Sequence, residues 1–546
     1  MPLAENGSAT TTRVRRRGST VGALMGGGGM ATREQYARAS TGPAPHDGIV
    51  AVAVALAALG LYVACLPPSF AFWDTGELQT VAAILGIAHP PACPAFVLLG
   101  WLATRVVPFG DPAWRVTLVS ALSLAASAGL AFATARRLGA ATIFALLGAL
   151  AFATASVVWR DATRAEIQAL ETLLRAAALW FALAYLDRGR VRDALGSGLA
   201  LGLAGATHGI ALLAVPSVAL LIGARFVRGR SARRATRAVA VGLLLGLLPY
   251  AYLPLRSAYV AAHGLDPTVA IGLPPGLPFW NYDDPHTWHG FVRVVTGADF
   301  DVHSGFAGYL DPGDYRRDIA ALTAQVADAF GAPAAWVALG GLVALGMRRP
   351  AVAVALFCAA LLPVPYTRSY ADLQDPTRYY LLALWVAAVA TALGLGAVLD
   401  LLRTIARLPR VAAYAVASAA ALIVAWSCAL SAPDRGKYFA QRRDRTAPRY
   451  VAAVLAATPS NAIVVAEWAW ATPLAYAAYV QHELGDRVVV SASPTQFESY
   501  YPGWLRERPV YLVTFDPALH LRDFVVTPVL NGSFHEYRLE PRASGA

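Results

Sequence analysis

Lysine is almost missing from this chain. Lys437 is the only one, so nearly all of the 45 basic residues are arginines. Charge of either sign is scarce too, at 14% of 546 residues, where a soluble globular domain carries about 25%. That scarcity excludes a soluble protein as the bulk of the chain. The four cysteines, Cys65, Cys93, Cys358 and Cys428, show neither CxxC spacing nor the pattern of a secreted disulfide framework. A phosphate loop, a dinucleotide fingerprint, zinc-ligand spacing and a Gly-x-Ser-x-Gly elbow are all lacking at any credible position. The residues on view call for no metal and no cofactor.

What fills the chain instead is apolar: 57% of residues are hydrophobic and the mean hydropathy is +0.49. The net charge of +11 does not indicate a nucleic-acid partner, because the arginines fall in short clusters between apolar stretches. The expected surroundings are membrane lipid. A crossing needs about 20 mostly apolar residues. The runs near 49–66, 113–135, 139–157, 167–186, 193–207, 208–224, 238–255, 333–347, 350–365, 379–400 and 411–430 predict a polytopic α-helical membrane protein of about eleven spans. Arg136–Arg137, the loop with Arg188, Arg190 and Arg192, the cluster from Arg225 to Arg237, Arg348–Arg349, and Arg403 with Arg407 and Arg410 fall on alternate connections, as cytoplasmic loops do. For the alternation to hold, Pro94–Val107 must lie at the interface and not span.

The organisation expected from this is a disordered basic cytoplasmic tail over 1–48, then a transmembrane domain over 49–430 with large external loops at 67–112 and 256–331. An extracytoplasmic α/β domain of about 110 residues follows over 431–546, an ordinary domain size. Strands are predicted at Ala462–Ala466, Arg487–Ser491 and Pro509–Thr514, and a helix at Pro473–Leu484. The location is the cell (inner) membrane, with the N-terminus cytoplasmic and the C-terminal domain outside.

Several polar residues stand out against the apolar background. Asp74 and Glu77, three apart, lie on one helical face; they can serve as a tuned general base and its neighbour, or form a capping box for the helix that follows. His89, in His89-Pro90-Pro91, sits in a rigid loop that suits a binding site or merely ends a helix. Arg160, Asp161, Arg164 and Glu166 crowd one external helix end, either as a polar site wall or as paired surface charges. His208 lies in an apolar stretch, where an ionisable group faces a cavity or a partner, or packs as a neutral ring. Arg256, Arg368 and Arg378 sit at external membrane depth. There they clamp a lipid phosphate with the guanidinium fork or snorkel toward headgroups.

Read in order, Asp74-Thr75-Gly76-Glu77-Leu78, Leu85-Gly86-Ile87-Ala88-His89-Pro90-Pro91 and Pro108-Phe109-Gly110-Asp111-Pro112-Ala113-Trp114-Arg115 resemble a set of bacterial membrane proteins. Those proteins are relatives of a eukaryotic endoplasmic-reticulum protein O-mannosyltransferase with the GT-C fold. Ala165-Glu166 through Ala169-Leu170, Thr207-His208, Tyr252 through Ser257, Asn281 through Pro285 and Arg378-Tyr379-Tyr380-Leu381 extend the likeness over residues 50–480. Ala92-Cys93 departs from it, since Gly-Tyr is usual there. The resemblance implies a GT-C-like membrane glycosyltransferase that moves a hexose such as mannose from a polyprenyl-phosphate sugar to a hydroxyl of a protein or glycan acceptor. In it Asp74 is the base and Glu77 positions base or acceptor. Arg256, Arg378 and Arg368 hold the donor phosphate, and His89, Arg160, Arg164, Glu166, His208 and Tyr379 line the site. The rival readings are a transporter or flippase for a lipid-linked substrate, which commonly shows internal repeats absent here, and a non-catalytic membrane scaffold.

Overall fold

The computed structural model describes residues 46–226, 232–298, 312–369, 375–404, 408–431 and 435–542. The tail expected over 1–48 lies almost wholly outside the described residues. Among those residues, seven helical segments are long and apolar enough to cross a membrane: Pro112–Arg137, Ile167–Arg188, Gly209–Phe226, Arg233–Ala270, Pro350–Thr367, Pro376–Thr404 and Arg410–Leu430. An eighth, Thr142–Thr154 with Ser156–Ala162, is bent by 62°. The other three predicted spans are shorter helices: Asp47–Val63 and Ala332–Arg348 with 17 residues each, and Val191–Gly205 with 15. Pro94–Val106 forms a 13-residue helix.

Local chemistry fixes the helix ends. Asp111 caps the 112–137 helix, its carboxylate accepting from Ala113 N at 2.9 Å, with Pro112 in the first turn. Gly189, at φ +69°, closes the 167–188 helix. The 191–205 and 232–246 helices pack through Gly198, Gly202, Gly242 and Gly246. A Cβ on Gly198 would lie 2.1 Å from the Val239 carbonyl oxygen, and one on Gly202 2.2 Å from that of Leu243. Small residues four apart let two backbones approach in lipid, where no hydrophobic force drives helices together. The 376–404 segment is the innermost; its Trp385 is fully buried and donates Nε1–H to the Ser127 carbonyl at 2.9 Å.

The arginine clusters meet at one end of the bundle. Asp187 accepts from Arg137 at 2.8 Å and from Arg349 at 2.6 Å, Arg225 donates to the Leu186 carbonyl at 2.6 Å, and Arg136 pairs with Asp47 at 2.9 Å. Glu166 lies at the other end of the helix that carries Asp187, about 32 Å away at 1.5 Å per residue. No disulfide joins any of the four cysteines.

Among the described residues five strands form one sheet: β1 (Ile463–Ala466), β2 (Val488–Ser491), β3 (Val510–Thr514), β4 (Phe524–Asn531) and β5 (His535–Pro541), in the order β2-β1-β3-β5-β4. β1 is parallel to β2 and β3, while β5 runs antiparallel to β3 and β4. The central β1 and β3 are buried along their whole length, which is why they read as continuous apolar runs. A helix, Trp468–Tyr479, joins β1 to β2. This region is not a free-standing body. Its Val464, Trp470, Leu474, Tyr476 and Val513 share one core with Phe70, Leu78, Val81, Phe96 and Val116 of the first loop and its neighbours.

Candidate functional site

The loop over 67–112 carries a helix, Trp73–Ile84. Its first turn is held from behind: a Cβ on Gly76 would lie 2.2 Å from the Ala71 carbonyl oxygen, so only glycine admits the returning chain. Buried Gln79 locks the same turn, accepting from Ala71 N at 2.9 Å and donating to Thr117 Oγ1 at 3.0 Å. The expected capping box does not form. The helix starts at Trp73 with Phe72 as N-cap residue, and no side chain caps it. Both acids are drawn off by tertiary partners instead.

Asp74 accepts from Trp468 Nε1 at 3.0 Å and from Arg378 at 3.2 Å, and its side chain is 33% exposed. Burial alone would raise its pKa. The positive charges of His89 and Arg378, with the hydrogen bonds from Trp468 and Arg378, outweigh burial and hold the carboxyl below its ordinary value. Glu77 is fully buried and accepts from His89 N at 2.7 Å and, by a very short bond, from His89 Nδ1. Burial works against a charge on that ring, but Glu77 and then Asp74 raise its pKa to about 9. The His89 ring also stands edge-on to Trp468, centroids 5.7 Å apart.

A chain of charge continues from Arg378. It lies 3.7 Å from Glu166, which pairs with Arg164 at 3.1 Å. Arg164 reaches Asp161 at 2.8 Å and Asp375 at 3.0 Å, and Arg160 meets the same two acids at 2.8 and 3.0 Å. Arg378 keeps a buried Nε without an acceptor among the described residues and lies over Tyr379 at 5.5 Å. Tyr379 and Tyr366 each place a ring 5.9 Å from His208, whose Nδ1 accepts from Ile210 N at 3.2 Å.

Asp74, Glu77, His89, Arg160, Arg164, Glu166, Arg378, Tyr379 and His208 thus form one connected neighbourhood. Arg256 does not join it. Its guanidinium donates to the carbonyls of Leu85 at 2.6 Å and Ile84 at 3.0 Å, where helix-end oxygens lack partners. Those residues lie at the far end of the helix from Asp74, about 15 Å along its axis. Arg256 and Arg378 therefore do not make one clamp. Arg256 lines a different cavity of about 550 Å³, with Arg105, Arg115, Tyr259 and Trp280. The side chain of Arg368 lies outside the described residues. The sequence reading passed over Trp468 and Asp375. Trp468 lies two residues beyond the end of β1, and the carboxyl end of a parallel strand is where α/β folds present ligand-facing groups.

Comparison with known proteins fits this geometry. Across 90% of its length the chain shares the fold of ArnT from Cupriavidus metallidurans in the apo state, with a TM-score of 0.51 over 97% of that protein at 13% identity. The class is therefore that of integral membrane proteins with the GT-C fold. Within it, residues 74–230 match the family described as Protein O-mannosyl-transferase TMEM260 N-terminal domain. Protein O-mannosyl-transferase TMEM260 of Mus musculus is 30% identical over 265 residues, 47% of this chain and 35% of that protein. Its Dictyostelium discoideum counterpart is 37% identical over 57 residues, 10% of this chain and 7% of that one. The matched stretch spans about a third of the mouse relative's length.

Proposed function

We propose that this protein is a membrane glycosyltransferase that moves a hexose, such as mannose, from a polyprenyl-phosphate carrier to an acceptor hydroxyl on the extracytoplasmic side. The observation that carries the reading is Asp74: a carboxylate kept ionised, one-third open to solvent, and oriented by Trp468 and Arg378. Relatives named as protein O-mannosyl-transferases support the reaction class.

In the proposed step the acceptor oxygen attacks the anomeric carbon from the face opposite the phosphate. The new C–O bond forms as the bond to the phosphate oxygen breaks, and that oxygen keeps the electron pair. Asp74 receives the hydroxyl proton. Its lowered pKa makes it a weak base toward a resting alcohol, so the transfer is late, when bond formation has made the hydroxyl acidic. Arg378 faces the phosphate with charge already in place as negative charge grows on the leaving group, so its stabilisation strengthens toward the transition state. Glu77 and His89 set the wall beside the base, and Arg160, Arg164 and Glu166 fix Arg378 in position.

The test uses the purified full chain in nanodiscs with radiolabelled polyprenyl-phosphate mannose and a hydroxyl acceptor. Label leaving the lipid for acceptor or water supports the reading. Label that only changes leaflet supports the transporter, and label that does neither supports the scaffold.

A further inference from the structure

Beside Asp74 lies a cavity of about 480 Å³ that the proposed step does not use. Its walls include Phe72, Trp73, Tyr450, Trp470, Phe515 and Phe534. Trp73 stacks on Phe515 with centroids 6.0 Å apart, and Trp470 lies 5.0 Å from the same ring. Trp73 is 41% and Phe515 49% exposed, so two large aromatic rings stand open to solvent at a place where the rest of the core is closed. Trp470 is only 9% exposed, and its Nε1–H is buried with no acceptor among the described residues. Such a donor is costly to leave unmet.

One peptide bond and one hydrogen bond tie this cavity to the candidate base. Trp73 precedes Asp74, and its φ of +58° is a left-handed conformation that a bulky residue rarely adopts. Across that kink Trp73 meets Phe515, while Asp74 meets Arg378 and Trp468. On the other wall, Trp468 holds Asp74 and Trp470, two residues on, lines the cavity. A molecule seated there lies within a residue or two of the carboxylate.

The chemistry of the walls selects the occupant. Among the described residues the lining holds no carboxylate and no side-chain amide; besides the indole N–H groups of Trp73 and Trp470, its polar groups are Thr446, Ser533, the exposed Arg449 and the Tyr450 hydroxyl, which already donates to the Trp470 carbonyl at 3.0 Å. A sugar ring needs fixed partners for several hydroxyls on burial, and this surface does not offer them. We propose that the cavity is an acceptor subsite for an extended polypeptide. It takes an apolar side chain next to the serine or threonine that is glycosylated, with Trp470 Nε1 donating to a backbone carbonyl of the peptide. The proposal rests on the transferase reading above.

Two fluorescein-labelled peptides, identical except for leucine or glycine beside a single threonine, test it against the full chain in nanodiscs. The leucine peptide should bind and be glycosylated about tenfold or more better, as apolar pockets discriminate. In Phe515→Ala, a change at a half-exposed ring, the ratio of kcat/KM between the two peptides should fall to near one. Trp470→Phe should weaken both peptides alike, because the carbonyl contact is common to them. Equal binding of the two peptides to the wild type, an unchanged ratio in Phe515→Ala, or displacement of the leucine peptide by a free oligosaccharide would overturn the proposal. Binding is read without turnover. If the preference for leucine is present while no donor is ever turned over, the transferase reading fails and the peptide site stands.

Discussion

Asp74 and His89 show how neighbours, not residue type, set the character of a side chain. Without His89, Arg378 and Trp468 a half-buried carboxyl would drift toward its neutral form; with them it stays charged. His89 is the mirror case, a ring held as a cation by Glu77. Its folded pKa of about 9 lies above the ordinary value of about 6.5 in an unfolded chain. The linkage therefore has a definite sign. The stabilisation is fully present below pH 6.5 and is lost as pH rises through 9, and it amounts to about 3 kcal/mol at most. The apparent Tm of the wild type should fall more steeply from pH 6.5 to 9.5 than that of His89→Gln. Parallel curves for the two proteins would show that the Glu77–His89 bond does not hold that charge.

The first-loop helix is the element on which the site depends, and Gly76 is its tightest point. Adding a methyl there must move backbone, because the obstructing atom is the Ala71 carbonyl oxygen. Gly76→Ala should lower stability by about 1–3 kcal/mol, as overpacking does, and should lower transfer by displacing Asp74. Gly60→Ala, where nothing lies within 4 Å of the new methyl, should leave thermal stability within about 0.5 kcal/mol of wild type. Equal stability of both variants would remove the role given to Gly76. The helices themselves could be read from the sequence because long apolar runs are a local signal. So could β1 and β3, buried on both faces. β4 and β5 were not anticipated: β4 contains Pro528 and is largely exposed at a sheet edge, which weakens its pattern. The capping box was legible and did not form, since Arg378 and His89, distant in sequence, compete for its two acids. Arg256 stands apart from Arg378 for a related reason: nothing local reveals that the carbonyls of Ile84 and Leu85 end beside it.

At the scale of the molecule, one helix joins two chemically different ends. Asp187 gathers arginines from separate loops, and about 32 Å away Glu166 belongs to the cluster around Asp74. By the positive-inside rule the first end is expected to face the cytoplasm. A reporter active only outside the cytoplasm should be silent when fused between Arg225 and Arg237 and active when fused after Ala546; the reverse pattern would put the candidate site on the wrong face. The central claim, that Asp74 takes the acceptor's proton, is tested most directly by the rate of sugar transfer catalysed by Asp74→Asn in nanodiscs. Asparagine keeps the shape and can still accept from Trp468, but it cannot act as the base. A positioned base contributes about 10²–10⁴-fold, so transfer should fall by that order while thermal stability and peptide binding hold. An Asp74→Asn protein that folds normally and transfers sugar at close to the wild-type rate would contradict the account.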